Sequence, residues 1–213
     1  MICATLLSIV GDNGFLDDRV DDLVAVAPEQ AFPQWRAFGT IYRGWVKAKN
    51  GDVAEGISLL RSGSAAYRAT GAELLMPHHR GLLARACDMA GQIEEGLTQL
   101  DDGLQIATRT GERWLDAELY RHKGQLLQSQ GHTEAAEELY RKAMIIAEKQ
   151  EAKLWEIRAA TSLARLRCNQ GRHTEARDML APIYGWFTEG FDTPDVKEAK
   201  SLLAELTSVG HAA

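Results

Sequence analysis

The chain has 213 residues, 45% hydrophobic and 25% charged, with a net charge of -6; that composition belongs to a folded globular protein and excludes a disordered one. No apolar run is long enough for a helix to cross the roughly 30 Å hydrocarbon core of a bilayer, so no membrane partner is expected. Residues 1–30 carry six acids and one base, and residues 141–180 nine bases and five acids; neither makes the basic stripe that displaces counterions from phosphates, so no nucleic-acid partner is expected either.

In chain order, the opening MICATLLSIV reads as part of a helix, because no basic residue precedes the apolar run as a secretory signal requires. Apolar residues at helical spacing predict helices over 2–10, 14–27, 33–49, 52–69, 75–90, 92–109, 112–130, 133–149, 153–170, 173–187 and 194–207. No stretch alternates with period two, so no strand is expected. Pro33 suits the first turn of its helix, whereas Pro77 would break an interior hydrogen bond and predicts a start near Met76 or a kink. Asp52 with Glu55 reads as a capping box, and Thr133 and Thr174 as N-cap residues. Asp192-Thr193-Pro194-Asp195 announces the last helix. Its Val196, Ala199, Leu202, Leu203 and Leu206 fall on one side, as a cap that shields a helical stack requires.

A period of 40 residues organises these helices. Gly51, Gly91, Gly131 and Gly171 recur at that spacing, with Gly11 one period upstream. Each glycine closes one apolar helical pattern and opens another, where the backbone turns left-handed. A second marker, Gly71, Gly111 and Glu151, falls midway. Gly44, Ala84, Gly124 and Ala164 keep the register before the turns, and Gly56, Gly96, Ala136 and Ala176 after them. Small residues in both columns let two antiparallel helices approach closely. Leu60, Leu100, Tyr140 and Leu180 supply the large apolar position one helical turn further on. The fold expected is an all-α, right-handed solenoid of antiparallel hairpins. Its parts are a partial repeat over 1–32, four hairpins over 33–71, 72–111, 112–151 and 152–190, and a cap helix with tail over 191–213. Residues 1–10 then read as the rear of a first helix, which leaves an open apolar face for another copy of the chain or an upstream domain.

The hairpin with small–small contacts and a central glycine resembles the tetratricopeptide repeat (TPR), whose usual unit is about 34 residues. The consensus tryptophan and proline are mostly missing. Three stretches, TGERWLDAELYRHKGQLL (110–127), AATSLARLRCNQGR (159–172) and YGWFTEGFDTPDVKEAKSLLAEL (184–206), carry a narrower resemblance. They are similar to the C-terminal repeat region of large bacterial signalling ATPases with adenylate/guanylate cyclase-like or DNA-binding domains. That resemblance implies a regulatory module that senses a partner or ligand. It carries over no cyclase or ATPase activity.

No phosphate-binding loop, dinucleotide fingerprint, metalloprotease helix or nucleophile elbow occurs, so neither enzymatic activity nor a cofactor is expected. His78-His79 invites a metal, but neighbours on a helix point about 100° apart and do not readily share one ion. Asp17-Asp18, Asp21-Asp22 and Asp101-Asp102 read as solvated carboxylates. Cys3, Cys87 and Cys168 are too few and scattered for a disulfide framework; they read as small core residues in a reducing, cytoplasmic setting. The resemblance to the repeat class implies a concave groove lined by the first helix of each hairpin. The register places Trp45, Arg85, Arg121, Gln125, Arg158 and Arg165 there. The guanidinium fork suits a carboxylate or phosphate and Trp45 could anchor a ligand, so a protein or peptide partner, acidic in character, is one reading. The other is that each arginine pairs with a neighbouring Glu or Asp and solvates the groove. Trp186, Phe187 and Phe191 are expected to staple the cap helix.

Overall fold

The computed structural model describes residues 2–10 and 33–209. Among them are ten helices and no strand: α1 (Ile2–Val10), α2 (Pro33–Lys49), α3 (Val53–Ala69), α4 (Met76–Met89), α5 (Ile93–Thr110), α6 (Asp116–Ser129), α7 (Thr133–Lys149), α8 (Lys153–Asn169), α9 (His173–Gly185) and α10 (Pro194–Val209). The expected helix over 14–27 lies outside the described residues. The chain forms two compact units, Met1–Arg113 and Trp114–Ala213. Each is a set of antiparallel hairpins of the TPR kind: α2 packs on α3 and α4 on α5 in the first, α6 on α7 and α8 on α9 in the second, where α10 packs on α8 and α9.

The turns between paired helices share one geometry. Gly91, Gly131 and Gly171 have φ of 69°, 84° and 77°, and the next residue donates its amide to a carbonyl five residues back: Gln92 to Cys87 at 2.8 Å, His132 to Leu127 and Arg172 to Arg167 at 2.9 Å. This is the Schellman bond that satisfies the last carbonyls of a helix. Glu151, at the second marker, takes φ 54°, and the Ala152 amide still reaches Ala147 at 2.9 Å.

The capping expectations are corrected. Asp52, Gln92, His132 and Arg172 occupy the N-cap positions of α3, α5, α7 and α9, and none makes a side-chain cap bond. The preceding turn holds Asp52 at ψ 62° and His132 at ψ 64°, away from the extended backbone from which a side chain reaches the orphan amides. Asp52 and Glu55 instead share Lys47, at 3.5 and 3.0 Å. Thr133 and Thr174 lie inside their helices. Residues 112–115, expected to begin a helix, lie outside α6, which starts at Asp116, and α4 starts at Met76 with Pro77 in its first turn.

Where Gly44 and Gly56 meet, backbone touches backbone. A Cβ at Gly44 would stand 2.8 Å from the Gly56 carbonyl oxygen and the Leu60 nitrogen. One at Gly56 would stand 2.7 Å from Ala48. Leu60, Leu100, Tyr140 and Leu180 are all buried at the large position beside these contacts.

The core of the first unit is aromatic: Phe38, Tyr42, Trp45 and Tyr67 are buried with Ile41, Leu60, Leu82 and Leu83. The hydroxyls of Thr5 and Tyr42, 2.9 Å apart, and Ser8 with His78 Nε2, 3.1 Å apart, tie α1 to this core. His79 is fully buried against the rings of Phe38, Tyr42 and Tyr67, and neither ring nitrogen has a hydrogen-bond partner. Burial above all, with smaller contributions from His78 and Arg80, holds its pKa well below the ordinary histidine value. In the second unit Ile157, Ala164, Leu180, Val196, Ala199, Leu202 and Leu206 form one cluster. Of the three expected staples, Phe187 packs on this cluster, whereas Trp186 and Phe191 stay 58% and 46% exposed. Trp186 meets Phe187 edge-on and lies under the Lys153 ammonium at 5.4 Å. Cys87 is buried, Cys168 half-buried and Cys3 exposed, so the core reading of the cysteines fails at Cys3.

Two measurements check this packing. Gly44→Ala drives a methyl into backbone atoms that cannot rotate away, and is expected to destabilise by about 1–3 kcal/mol; an unchanged urea midpoint would sink the close-approach account. His79 stays neutral when folded, while the unfolded chain takes up its proton below about pH 6.5. Stability should therefore fall as pH drops through that value. His79→Leu should flatten the pH 7-to-5 dependence of the thermal midpoint, and a slope equal to that of the parent would refute the role given to His79.

Candidate functional site

The six groove candidates fall into two groups, one in each unit. In the first unit, α2 and α4 bring together Trp45 and Arg85. The guanidinium lies 4.4 Å from the Trp45 ring centre, and Lys49 stands 5.8 Å from the same ring. Trp45 itself is 1% exposed, so its indole supports Arg85 from within the core.

The second unit builds a charge network. The pattern i, i+3, i+4 and i+7 on α6 puts Glu118, Arg121, His122 and Gln125 on one helical face. Arg121 Nε and Nη2 each donate to the buried Glu118 carboxylate at 2.7 Å, and His122 Nε2 stands 3.2 Å away. Gln125 joins through its Oε1, 2.9 Å from His122 Nδ1. From α8, Arg158 Nη1 reaches Glu118 at 3.3 Å, while its Nε and Nη2 hold both oxygens of Asp195 in the first turn of α10 at 2.7 and 2.8 Å. Two turns along α8, Arg165 pairs with Glu198, one turn beyond Asp195 on α10, at 3.1 Å. That pair is exposed on both sides, unlike the others.

Burial pushes the Glu118 carboxyl upward, but Arg121 and His122 outweigh it, and the group is held well below the usual carboxylate range. Burial likewise disfavours the charged form of Arg158, and Asp195 and Glu118 more than compensate. A buried ion network of this kind adds little net stability, yet removal of one partner costs roughly 3–5 kcal/mol because a charge is stranded. The arrangement therefore fixes side-chain positions. Arg121 and Arg158 hold carboxylates in bidentate geometry, whereas Arg165 and Glu198 pair while both stay exposed.

Glu118 and Arg158 are one period apart with opposite charges, a signal present in the register. Asp195 and Glu198 as partners were missed, because an acid at the start of a helix reads first as a dipole partner. A second hub was missed as well: Glu137 accepts hydrogen bonds from Arg141, Arg167 and Arg172, which come from α7, α8 and the turn before α9. Nothing in the spacing of those three arginines marks a shared acceptor. His78 and His79 share no ligand, since His78 meets Ser8 and His79 faces the aromatic core. Among the described residues no three His, Cys, Asp or Glu side chains converge as metal ligands, and no helix is long and apolar enough to cross a membrane.

A family model of the tetratricopeptide repeat matches residues 77–102, which span α4 and the first half of α5. No curated protein matches the chain. Among solved structures, TPR-like repeats assigned to a kinesin light chain of Podosopora anserina are 21% identical over 85% of this chain and 89% of that one, with a TM-score of 0.65. BtubC from P. vanneervenii is 14% identical over 97% and 91%, with a TM-score of 0.65. A Signal Transduction ATPase with Numerous Domains from Pyrococcus horikoshii, which bears a tetratricopeptide repeat sensor, is 12% identical with a TM-score of 0.73; the match covers 94% of this chain and 31% of that protein. At these identities the likeness is one of fold.

Proposed function

We propose that this chain is a non-enzymatic interaction and regulatory module of a signalling ATPase or cyclase-like system, working in the cytoplasm. It binds a peptide or anionic ligand on the first helices of its hairpins. The observation that carries this reading is that Arg165, on the first helix of its hairpin, holds the Glu198 carboxylate with both side chains exposed. An outside carboxylate can displace Glu198 from Arg165, because both groups are solvated and such a pair contributes about 0–1 kcal/mol. The repeat sensor of the Pyrococcus horikoshii ATPase supports the signalling setting.

A fluorescent decapeptide of alternating Asp and Glu should bind the wild-type chain saturably. Arg165→Glu, an exposed change that leaves the Glu118 network intact, should weaken it about tenfold, the size of one lost charge-assisted hydrogen bond. Absence of saturable binding, or equal binding by the variant, overturns the acidic-peptide reading.

A second reading has its own observation. Helix α1 carries no charged residue, and its Leu6 is 54% exposed. That exposed leucine is the observation behind self-association through this face. Light scattering at about 50 μM, within reach of a weak dimer, should report a species larger than the monomer, and Leu6→Glu should return it to the monomer. A wild-type monomer at that concentration removes this reading.

A further inference from the structure

A pocket of about 310 Å³ opens in the first unit between the end of α3, the start of α4 and the end of α5. It is separate from the α6 and α8 arginines. Three arginines line it: Arg68 from α3, Arg80 from α4 and Arg109 from α5. Buried Met76 and half-buried Ile106 supply an apolar part of the lining.

The charges in this pocket do not cancel. Arg109 takes up both oxygens of Glu73, at 2.7 and 3.0 Å, and Arg68 acts on the same carboxylate only through space. The half-buried Arg80 donates to Gln99 and has Asp102 no nearer than 3.9 Å. Three cations thus face two carboxylates, and one carboxylate is fully engaged.

The chain between Glu73 and Met76, two residues that line the pocket, is held in advance. Leu75 adopts φ 64°, a left-handed conformation that a leucine takes only under constraint. Its amide donates to both carboxylate oxygens of Glu112, at 3.0 and 2.9 Å. A loop fixed before binding loses less entropy when a ligand arrives.

The repeat does not require these arginines. One period on from Arg68, Arg80 and Asp102 stand Thr108, Tyr120 and Lys142. In the second unit the Lys142 ammonium lies over the Tyr120 ring at 3.9 Å. The hairpin therefore forms with quite different groups at the same register.

We propose that this pocket binds a small organic anion: a carboxylate or phosphate head on Arg68 and Arg80, and an apolar body against Met76 and Ile106. At about 30 Å³ per water-sized group, the volume holds roughly ten non-hydrogen atoms.

Phenyl phosphate and benzoate, with phenol as the uncharged control, test this on the full chain by calorimetric titration. At least one anion should bind saturably, more weakly as salt rises, and phenol should not; the tighter anion names the head group. Arg68→Glu, on an exposed side chain, and Arg80→Gln should each lower the affinity about tenfold. Arg165→Glu should leave it unchanged, which separates this site from the carboxylate surface on α8. Circular dichroism checks the fold of each variant. Failure of both anions to saturate, binding of phenol as tight as theirs, or wild-type affinity in folded Arg68→Glu overturns the proposal.

Discussion

Close approach of paired helices at small residues is the constraint from which the rest of this structure follows. Gly44 and Gly56 bring α2 and α3 so close that neither position has room for a methyl group, and the same columns hold Ala84 with Gly96, Gly124 with Ala136, and Ala164 with Ala176. With the helices drawn close, the large residue one turn away packs into the seam, and Leu60, Leu100, Tyr140 and Leu180 are all buried. Helices held at that separation can be joined by a very short turn. The left-handed glycine with its five-residue-back hydrogen bond supplies it and leaves few helix-end carbonyls unsatisfied.

A seam filled by small residues confines the polar side chains to other faces, and the two units use those faces differently. The first unit encloses aromatic rings and His79 around its first helices, and burial keeps that imidazole neutral. The second unit places Glu118 where water is scarce. A carboxylate there must be matched, and Arg121, His122 and Arg158 match it. Arg158 then has donors to spare, which it gives to Asp195, so the charge network also seats the cap helix. Burial by itself holds the His79 pKa down, whereas at Glu118 it pushes the carboxyl up and Arg121 and His122 overcome it.

Much of this was legible beforehand. The 40-residue spacing located the turns, and even Glu151, the residue without glycine's freedom, takes the left-handed backbone its register demanded. The helices from Pro33 to Lys49 and from Thr133 to Lys149 stand as the periodicity drew them. The caps were not legible. A Thr or Asp beside a glycine looks like an N-cap, but the turn geometry imposed by the preceding helix decides whether its side chain can reach an amide. The candidate site was half legible: the helix face of Arg121, Gln125, Arg158 and Arg165 came from spacing, while the partner each would choose did not. Trp45 shows why. Helical phase puts it on the first-helix face, and only the packing of α4 reveals that Arg85 lies over a buried ring.

What the sequence by itself determined is the repeating unit: an all-α chain of antiparallel hairpins, with its turns, close contacts and buried large positions. These depend on residues near one another in the chain or one period apart, so local chemistry and counting suffice. What the tertiary structure alone decided is the pairing of charges: Arg158 with Asp195, Glu137 with three arginines, Arg109 with Glu73, and the cationic pocket that last pair leaves behind. Side-chain length and rotamer choose among several carboxylates at similar distances. That choice depends on burial and on competing partners, neither of which is written in the spacing.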